Sequence, residues 1–365
     1  METTLRLPSR FVARFLGVFG PIFVLGCSGM DAHHSGGGTT TEGPSSEPVA
    51  AIDHDALLVV NGGDSTISVI DTAADEVVST IQLSDASFPH HLYLSPDASQ
   101  MVLAVPGMDL SMGHSTSGHA GHGVKGAVML LDAATGATLR AGVLDAMNHN
   151  AIFSPDGAEI WTSQMTASGT VLVLDAKTLE VEDTIEVGAQ PAEVTFSADG
   201  AYAFVANGGS ASVTVIDAAT KQVVSTIDVE ENPVGAWQGA NGMAYVDNES
   251  AESLSAIDTM TLEVTHTYDL GFMPGMAALG PDDQIWVTDA ENGRVVFFPA
   301  SGGEPTGEIA VGAGAHAIAF NDDGSTAYIS NQMEDTVSII DLMTASVVTT
   351  ISVGAKPNGL LWRVK

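Results

Sequence analysis

From about Asp55 onward the chain is written in short runs of alternating apolar and polar residues. The clearest run is SVTVIDAATKQVVSTIDV at 212–229. Val, Ile and Thr alternate through it as a half-buried strand requires, and the Asp-Ala-Ala-Thr segment breaks it as a turn. STISVIDTAADEVVSTIQL (65–83), TVLVLDAKTLEVEDTIEV (170–187), SLSAIDTMTLEVTHTYDL (253–270) and TVSIIDLMTASVVTTISV (336–353) repeat the pattern. The Asp before the turn falls at Asp71, Asp132, Asp175, Asp217, Asp258 and Asp341, with Pro299 standing in once. The steps between these positions are 61, 43, 42, 41, 41 and 42 residues. Each unit also carries an earlier strand pair around an Asp-Gly-type turn, as in FSPDGAEIWTSQ (153–164), FSADGAYAFVAN (196–207) and FNDDGSTAYISN (320–331).

A period near 42 with four short strands per unit predicts an all-β, seven-bladed β-propeller with four-stranded antiparallel blades. The first unit, at 55–83, lacks its innermost strand, and the chain ends on KPNGLLWRVK, an innermost strand with no blade after it. The two pieces make one blade, so the C-terminal strand should close the ring and remove its open edges. AYISN, AFVAN, IWTSQ and IWVTD, the Val-Gly-x-x-Pro segments VGAQP and VGAKP, and the following SVID-type strands resemble the YVTN-repeat β-propeller family over nearly all of residues 55–365. The resemblance implies the fold and little about function, because propellers host many functions.

The first step is longer than the others, and the extra residues form MDLSMGHSTSGHAGHG (108–123). This insertion, within 106–124, falls between the second and third strands of blade two, on the face that surrounds one mouth of the central channel. It carries Met108, Met112, His114, His119 and His122. Aligning the residues that lead into each innermost strand gives His90, His149, Ala192, Val234, Gly275, His316 and Asn358 for blades two to seven and then one. Blades seven, one, two and three are consecutive around a ring, so the three histidines should share one arc of the mouth. His91 follows directly in blade two, and the sequence leaves open which of His90 and His91 faces inward. At the end of the second strand, Met108, Met165 and Met333 occur in the same three blades that carry histidine, whereas blades one and four have Gly63 and Gly209.

Imidazole and thioether together are copper ligands, the thioether favouring Cu(I). The expected metal ligands are therefore His90, His91, His149, His316, Met108, Met165, Met333, Met112, His114, His119 and His122, with copper first and zinc second. Asp109 and Glu193 are candidate oxygen ligands or partners of the ligands. Paired acids such as Asp282-Asp283 and Asp322-Asp323 lie in strand-connecting turns and read as turn formers.

Charge and the N-terminus narrow the setting. The chain has 45 acidic against 11 basic residues, a formal net charge of −34 and a pI of about 4.2, which repels nucleic acid and anionic lipid. Arg6, Arg10 and Arg14 precede a short apolar run, Phe15 to Leu25, that ends in Val24-Leu25-Gly26-Cys27. This resembles a bacterial lipobox, which implies lipidation at Cys27. Ser28 after it implies the outer membrane, or more broadly the periplasm or cell envelope. Residues 1–26 then form a lipoprotein signal peptide, 27–50 a flexible Gly/Ser/Thr/Pro tether containing His33 and His34, and 51–365 the propeller. With one Cys the chain cannot form internal disulfides or carry a c-type haem, and it has no nucleotide-binding loop. The expectation is a monomeric, lipid-anchored binding or scaffold protein whose partner is a metal ion or an envelope protein, touching the membrane through its anchor alone. The rivals are a metal-independent interaction module and a propeller enzyme of the lactonase or copper oxidoreductase type.

Overall fold

The computed structural model describes residues 43–111 and 123–365. Cys27, His33, His34, Met112, His114, His119 and His122 lie outside the described residues. Within them the chain is all β and helix-free, with seven antiparallel sheets, one per blade, as the repeat predicts. Blades two to seven each take four consecutive strands, counted outward from the channel. Blade one combines Ala56–Asn61, Thr66–Asp71 and Glu76–Ser84 with the C-terminal strand Pro357–Arg363, which pairs antiparallel with Ala56–Asn61 as the innermost strand. That strand also touches the innermost strands of blade seven (Ala315–Phe320) and blade two (Leu92–Leu94), so the ring closes on it. Leu57, Val59 and Ile70 of blade one pack with Tyr328, Val337, Ile339 and Ile351 of blade seven across the closing seam. Each fully buried aliphatic side chain of this kind contributes about 1.5–3 kcal/mol.

The segment expected to be tether differs at its end. Ser45–Glu47 pairs with Glu76–Ser84 as a fifth, outermost strand of blade one. The Ser46 hydroxyl donates to the Gly136 carbonyl at 2.6 Å and lies 2.7 Å from Thr138 Oγ1, so this strand also ties blade one to blade two. An open sheet edge offered it unpaired backbone groups, which the low hydrophobicity of the segment did not reveal.

The acids of the turns are structural. Asp97, Asp156 and Asp199 accept from a nearby Ser hydroxyl and a backbone N–H within the turn joining first and second strands. Asp175, Asp217, Asp258 and Asp341 accept from backbone N–H groups two or three residues on, in the turn joining third and fourth strands. Asp282 and Asp323 act likewise, as expected for turn formers. At the other end of the second strand, Asn61, Asn207, Asn248 and Asn331 are fully buried. Each donates its amide to hydroxyls five and seven residues later, for Asn207 those of Ser212 (3.4 Å) and Thr214 (2.9 Å). This explains the Asn that ends the AFVAN and AYISN motifs: it fastens the second strand to the third beside the channel mouth.

Candidate metal centre at the channel mouth

The innermost strands are irregular at the end where the histidines sit. In blades four to seven the pairing with the second strand shifts register over the first three residues, as between Pro191 and Val194, and between Ala315 and Ile318. In blades two and three the ladder starts only at Leu92 and Ala151. A bulge leaves residues out of the ladder and re-aims their side chains. Successive residues are thereby left outside the regular ladder: His90 and His91 in blade two, Asn148 to Asn150 in blade three, Ala192 and Glu193 in blade four, and His316 and Ala317 in blade seven. This resolves the choice between His90 and His91, because both reach the cluster.

The rings gather as the alignment predicts. The His90 ring centroid lies 4.6 Å from that of His149, 4.3 Å from His91 and 5.7 Å from His316, and His91 and His149 are 5.0 Å apart. All four are buried, from 1% exposed at His90 to 8% at His316. One ring nitrogen from each of His90, His91 and His149 falls within 4.8 Å of the others. Around a tetrahedral ion with Zn–N bonds near 2.0–2.1 Å, such nitrogens stand roughly 3.3 Å apart. Small side-chain rotations would bring the three onto one ion.

Beneath them lies Glu193, fully buried on the innermost strand of blade four. Three donors converge on it. Tyr93 Oη donates to Oε1 at 2.7 Å, Asn150 Nδ2 to the same oxygen at 2.7 Å, and His149 Nδ1 lies 2.6 Å from Oε2. His91 Nε2 stands 3.7 Å from Oε2. Burial pushes the Glu193 carboxyl well above its ordinary range. The Tyr93 and Asn150 hydrogen bonds pull it back, and the charge of Asp247 pushes it further up. Burial and the Glu193 charge hold the Tyr93 hydroxyl protonated well above its usual range. The short His149–Glu193 bond engages Nδ1 and points Nε2 away from the carboxylate, which is how a carboxylate orients a metal-ligating imidazole.

The wall opposite is Trp237 of blade five, whose ring lies 5.8 Å from His91. Two glycines make room for this arrangement. A Cβ on Gly359 would stand 2.5 Å from the His90 carbonyl oxygen, so the closing strand can lie this near the histidine pair of blade two. A Cβ on Gly235 would overlap the Asp247 carboxylate and the Trp237 indole nitrogen.

The methionines are placed differently from the histidines. Met333 is 63% exposed. Met165 borders a small depression with Met147, Ala192 and Val234. Met108 is half-buried at the base of the insertion. Asp109, expected as an oxygen ligand, pairs with Lys356 and accepts from the Ser111 backbone N–H at 3.0 Å. It anchors the base of the insertion to the loop before the closing strand. The described cluster is thus built of imidazoles. Tyr93, Asn150, Trp237 and Asp247 were missed by the sequence reasoning. Their signal was a polar or large aromatic residue at repeat positions where other blades carry small or aliphatic ones.

Residues 134–279 match a family described as a domain of unknown function, DUF5074. No curated protein matches the chain. Solved structures of similar shape are propellers. The periplasmic gluconolactonase of Pseudomonas aeruginosa superposes with a TM-score of 0.69 at 18% identity, over 85% of this chain and 99% of that one. A protein described as a putative 6-phosphogluconolactonase from Bacteroides uniformis gives 0.67 at 14%, over 85% and 100%. Hydrazine synthase of Kuenenia stuttgartiensis gives 0.61 at 20%, over 76% and 90%. At these identities the likeness establishes the fold alone.

Proposed function

We propose that this chain is a propeller that binds one transition-metal ion at the head of its channel and works by binding rather than turnover. His90, His91 and His149 are the ligands, His316 lines the site, and Glu193 orients His149. The observation that carries this reading is the convergence of three buried imidazoles, with one nitrogen of each within 4.8 Å of the others, and a buried carboxyl bonded to Nδ1 of one of the rings. Such a set suits zinc, which takes three imidazoles and keeps a fourth position open, and it suits Cu(II), the strongest divalent binder of nitrogen sites. Zinc now leads. A preference for copper rests on thioethers, but Met333 lies at the surface and Met165 borders a depression that has none of the four histidines in its wall. The lipobox resemblance at Cys27 and the acidic composition support an extracytoplasmic, envelope-tethered setting, and the YVTN-type motifs support a repeat scaffold on which the site is grafted.

The test is metal analysis and titration of the purified protein beside the His149→Ala and His90→Ala/His91→Ala variants. One zinc or copper per chain, lost or weakened in both variants, is the expected result. No stoichiometric metal in the unaltered protein would overturn the reading. Lactone hydrolysis by the metal-loaded protein would instead place it with the enzymes whose fold it shares.

A further inference from the structure

Blade one is assembled from strands remote in sequence, and it stands between His316 of blade seven and the histidine pair of blade two. Its innermost strand brings Asn358 to the register position that His90, His149 and His316 hold in theirs. Ala192, Val234 and Gly275 hold that position in blades four to six, so the fold itself asks for no polar group there. A carboxamide that is 3% exposed costs desolvation unless it is hydrogen-bonded. A Cβ on Gly62 would stand 2.4 Å from Asn358 Nδ2, so the backbone beside it is cleared for this side chain. Asn358 therefore answers a requirement beyond closing the blade.

Its contacts say which. Asn358 Nδ2 donates at 3.3 Å to the carbonyl of Pro89, the residue directly before His90. Oδ1 accepts from Gln332 Nε2 of blade seven. The Asn358 backbone carbonyl accepts from Ser330 Oγ at 3.2 Å. Ser330 Oγ accepts in turn, at 2.9 Å, from the N–H of Ala317, the residue directly after His316. A path of hydrogen bonds thus runs from the strand of His316, through the closing strand, to the approach of His90, and the two imidazole rings lie 5.7 Å apart. The next residue, Gly359, passes so close that a Cβ would stand 2.5 Å from the His90 carbonyl oxygen and 3.2 Å from His91 Cα. The histidine pair rests on the closing strand, and that strand stays in the ring by pairing with Ala56–Asn61.

We propose that Asn358 is a positioning residue that couples metal binding to closure of the ring: through Pro89 it sets the His90-His91 pair against His149, and an ion bound by the three rings in turn keeps the closing strand in place. The coupling is reciprocal, because a strand that favours the bound ion is favoured by it to the same factor. This rests on the metal-binding reading above and adds what the bound ion does to the scaffold.

The experiment is hydrogen–deuterium exchange of the full chain with and without Zn2+, in the unaltered protein and in Asn358→Leu. Leu is close to Asn in volume and removes both side-chain hydrogen bonds while leaving every imidazole in place. Free Zn2+ is held at about 100 times the Kd of each protein, where an opening that abolishes the site slows by about 100-fold. In the unaltered protein Zn2+ should slow exchange in Pro357–Arg363 by about tenfold or more, and by more than in Arg294–Pro299 of blade six. In Asn358→Leu the slowing of the two strands should agree within about twofold. A merely structural role would raise exchange of the closing strand equally with and without Zn2+. Should Asn358→Leu fail to fold, Gln332→Met replaces it, since blade three carries Met165 at the equivalent position, and it should diminish the Zn2+-dependent slowing in the same way. Equal slowing of the closing strand in variant and unaltered protein, or a closing strand slowed no more than blade six in a protein that binds Zn2+, would overturn the proposal. An unaltered protein that takes up no Zn2+ would overturn the metal-binding reading itself, so the two failures are distinguishable.

Discussion

Substituting Glu193 by Gln tests the geometry of the site at the price of one atom. The Gln carbonyl oxygen can take the place of Oε1 and keep the hydrogen bonds from Tyr93 and Asn150, both 2.7 Å long. The Gln NH2 must then take the place of Oε2 and face His149 Nδ1, 2.6 Å away. Two N–H donors cannot share that contact, so His149 must accept through Nδ1 and carry its proton on Nε2. A protonated Nε2 has no lone pair for a metal. The loss expected when a partner of a metal ligand is removed is about 10- to 100-fold in affinity, or about 1.4–2.8 kcal/mol. Stability should change little, because the shape and the hydrogen bonds from Tyr93 and Asn150 are kept. The affinity is read by competition against a chromophoric chelator, and the tautomer by the 15N shifts of the His149 ring in the metal-free protein. Unchanged affinity together with an unchanged tautomer would refute the assignment of Glu193 as the residue that orients His149.

Gly359→Ala should also weaken the metal site, because its Cβ would meet the His90 carbonyl at 2.5 Å and displace the histidine pair. Retained affinity in that variant would show that the pair does not depend on the closing strand. Asn207→Ala removes two buried hydrogen bonds to Ser212 and Thr214 and should cost about 2–3 kcal/mol, lowering Tm by roughly 4–6 °C without altering metal binding. Acid should unfold the protein through its turns. Asp97 is held down to about 2 by the hydroxyls of Ser95 and Ser99, and Asp156, Asp175, Asp199, Asp217, Asp258, Asp323 and Asp341 are lowered by similar hydrogen bonds. Carboxyls lowered on folding stabilise above their unfolded value and lose that contribution as pH falls through the folded one. Tm should therefore fall between about pH 4 and pH 2, and a flat profile there would contradict the turn assignment. With a net charge of −34, moderate salt should raise Tm by screening self-repulsion, which a salt series at pH 7 would check.

Much of this is legible in the sequence alone. The alternation within SVTVIDAATKQVVSTIDV and the spacing of the turn aspartates carry the blades, and KPNGLLWRVK carries the closure. The histidine arc was legible because repeat units can be aligned with one another inside a single chain. His90, His149 and His316 share one register position, and a ring turns shared register into shared space. The shared methionine position read from the sequence does not hold: Met165 follows directly on its second strand, Met333 stands two residues beyond the end of Thr326–Asn331, and Met108 three beyond Gln100–Val105. By backbone pairing Met165 is the equivalent of Gln332, and Met333 lies one residue further on, where it is exposed, while Met165 borders a small depression. Past the end of a strand the loops differ in length from blade to blade, so aligning residue types there does not align positions, whereas the histidines lie at the head of the innermost strand, where the repeat keeps its count. Strand Ser45–Glu47 escaped for a different reason, since an edge strand is chosen by the backbone it pairs with and not by its own side chains.

The bulge at the head of each innermost strand connects the generic fold to the specific site. A regular strand would turn alternate residues toward the channel, and His90 and His91 would then point to opposite faces. The bulge releases consecutive residues, so one blade can place two imidazoles in the cluster, as His90-His91 does, and another can place a carboxyl against a neighbour's imidazole, as Glu193 does for His149. The same irregularity leaves an amide that must be satisfied from the second strand, which is where Thr288, Ser330 and Asp247 act. A change from hydroxyl to carboxyl at that one position therefore leaves the scaffold hydrogen bond in place while adding an acceptor for the Trp237 indole. In this way seven near-identical blades can hold one asymmetric site: the backbone irregularity is shared by the ring, and chemistry is set blade by blade by the side chains placed on it.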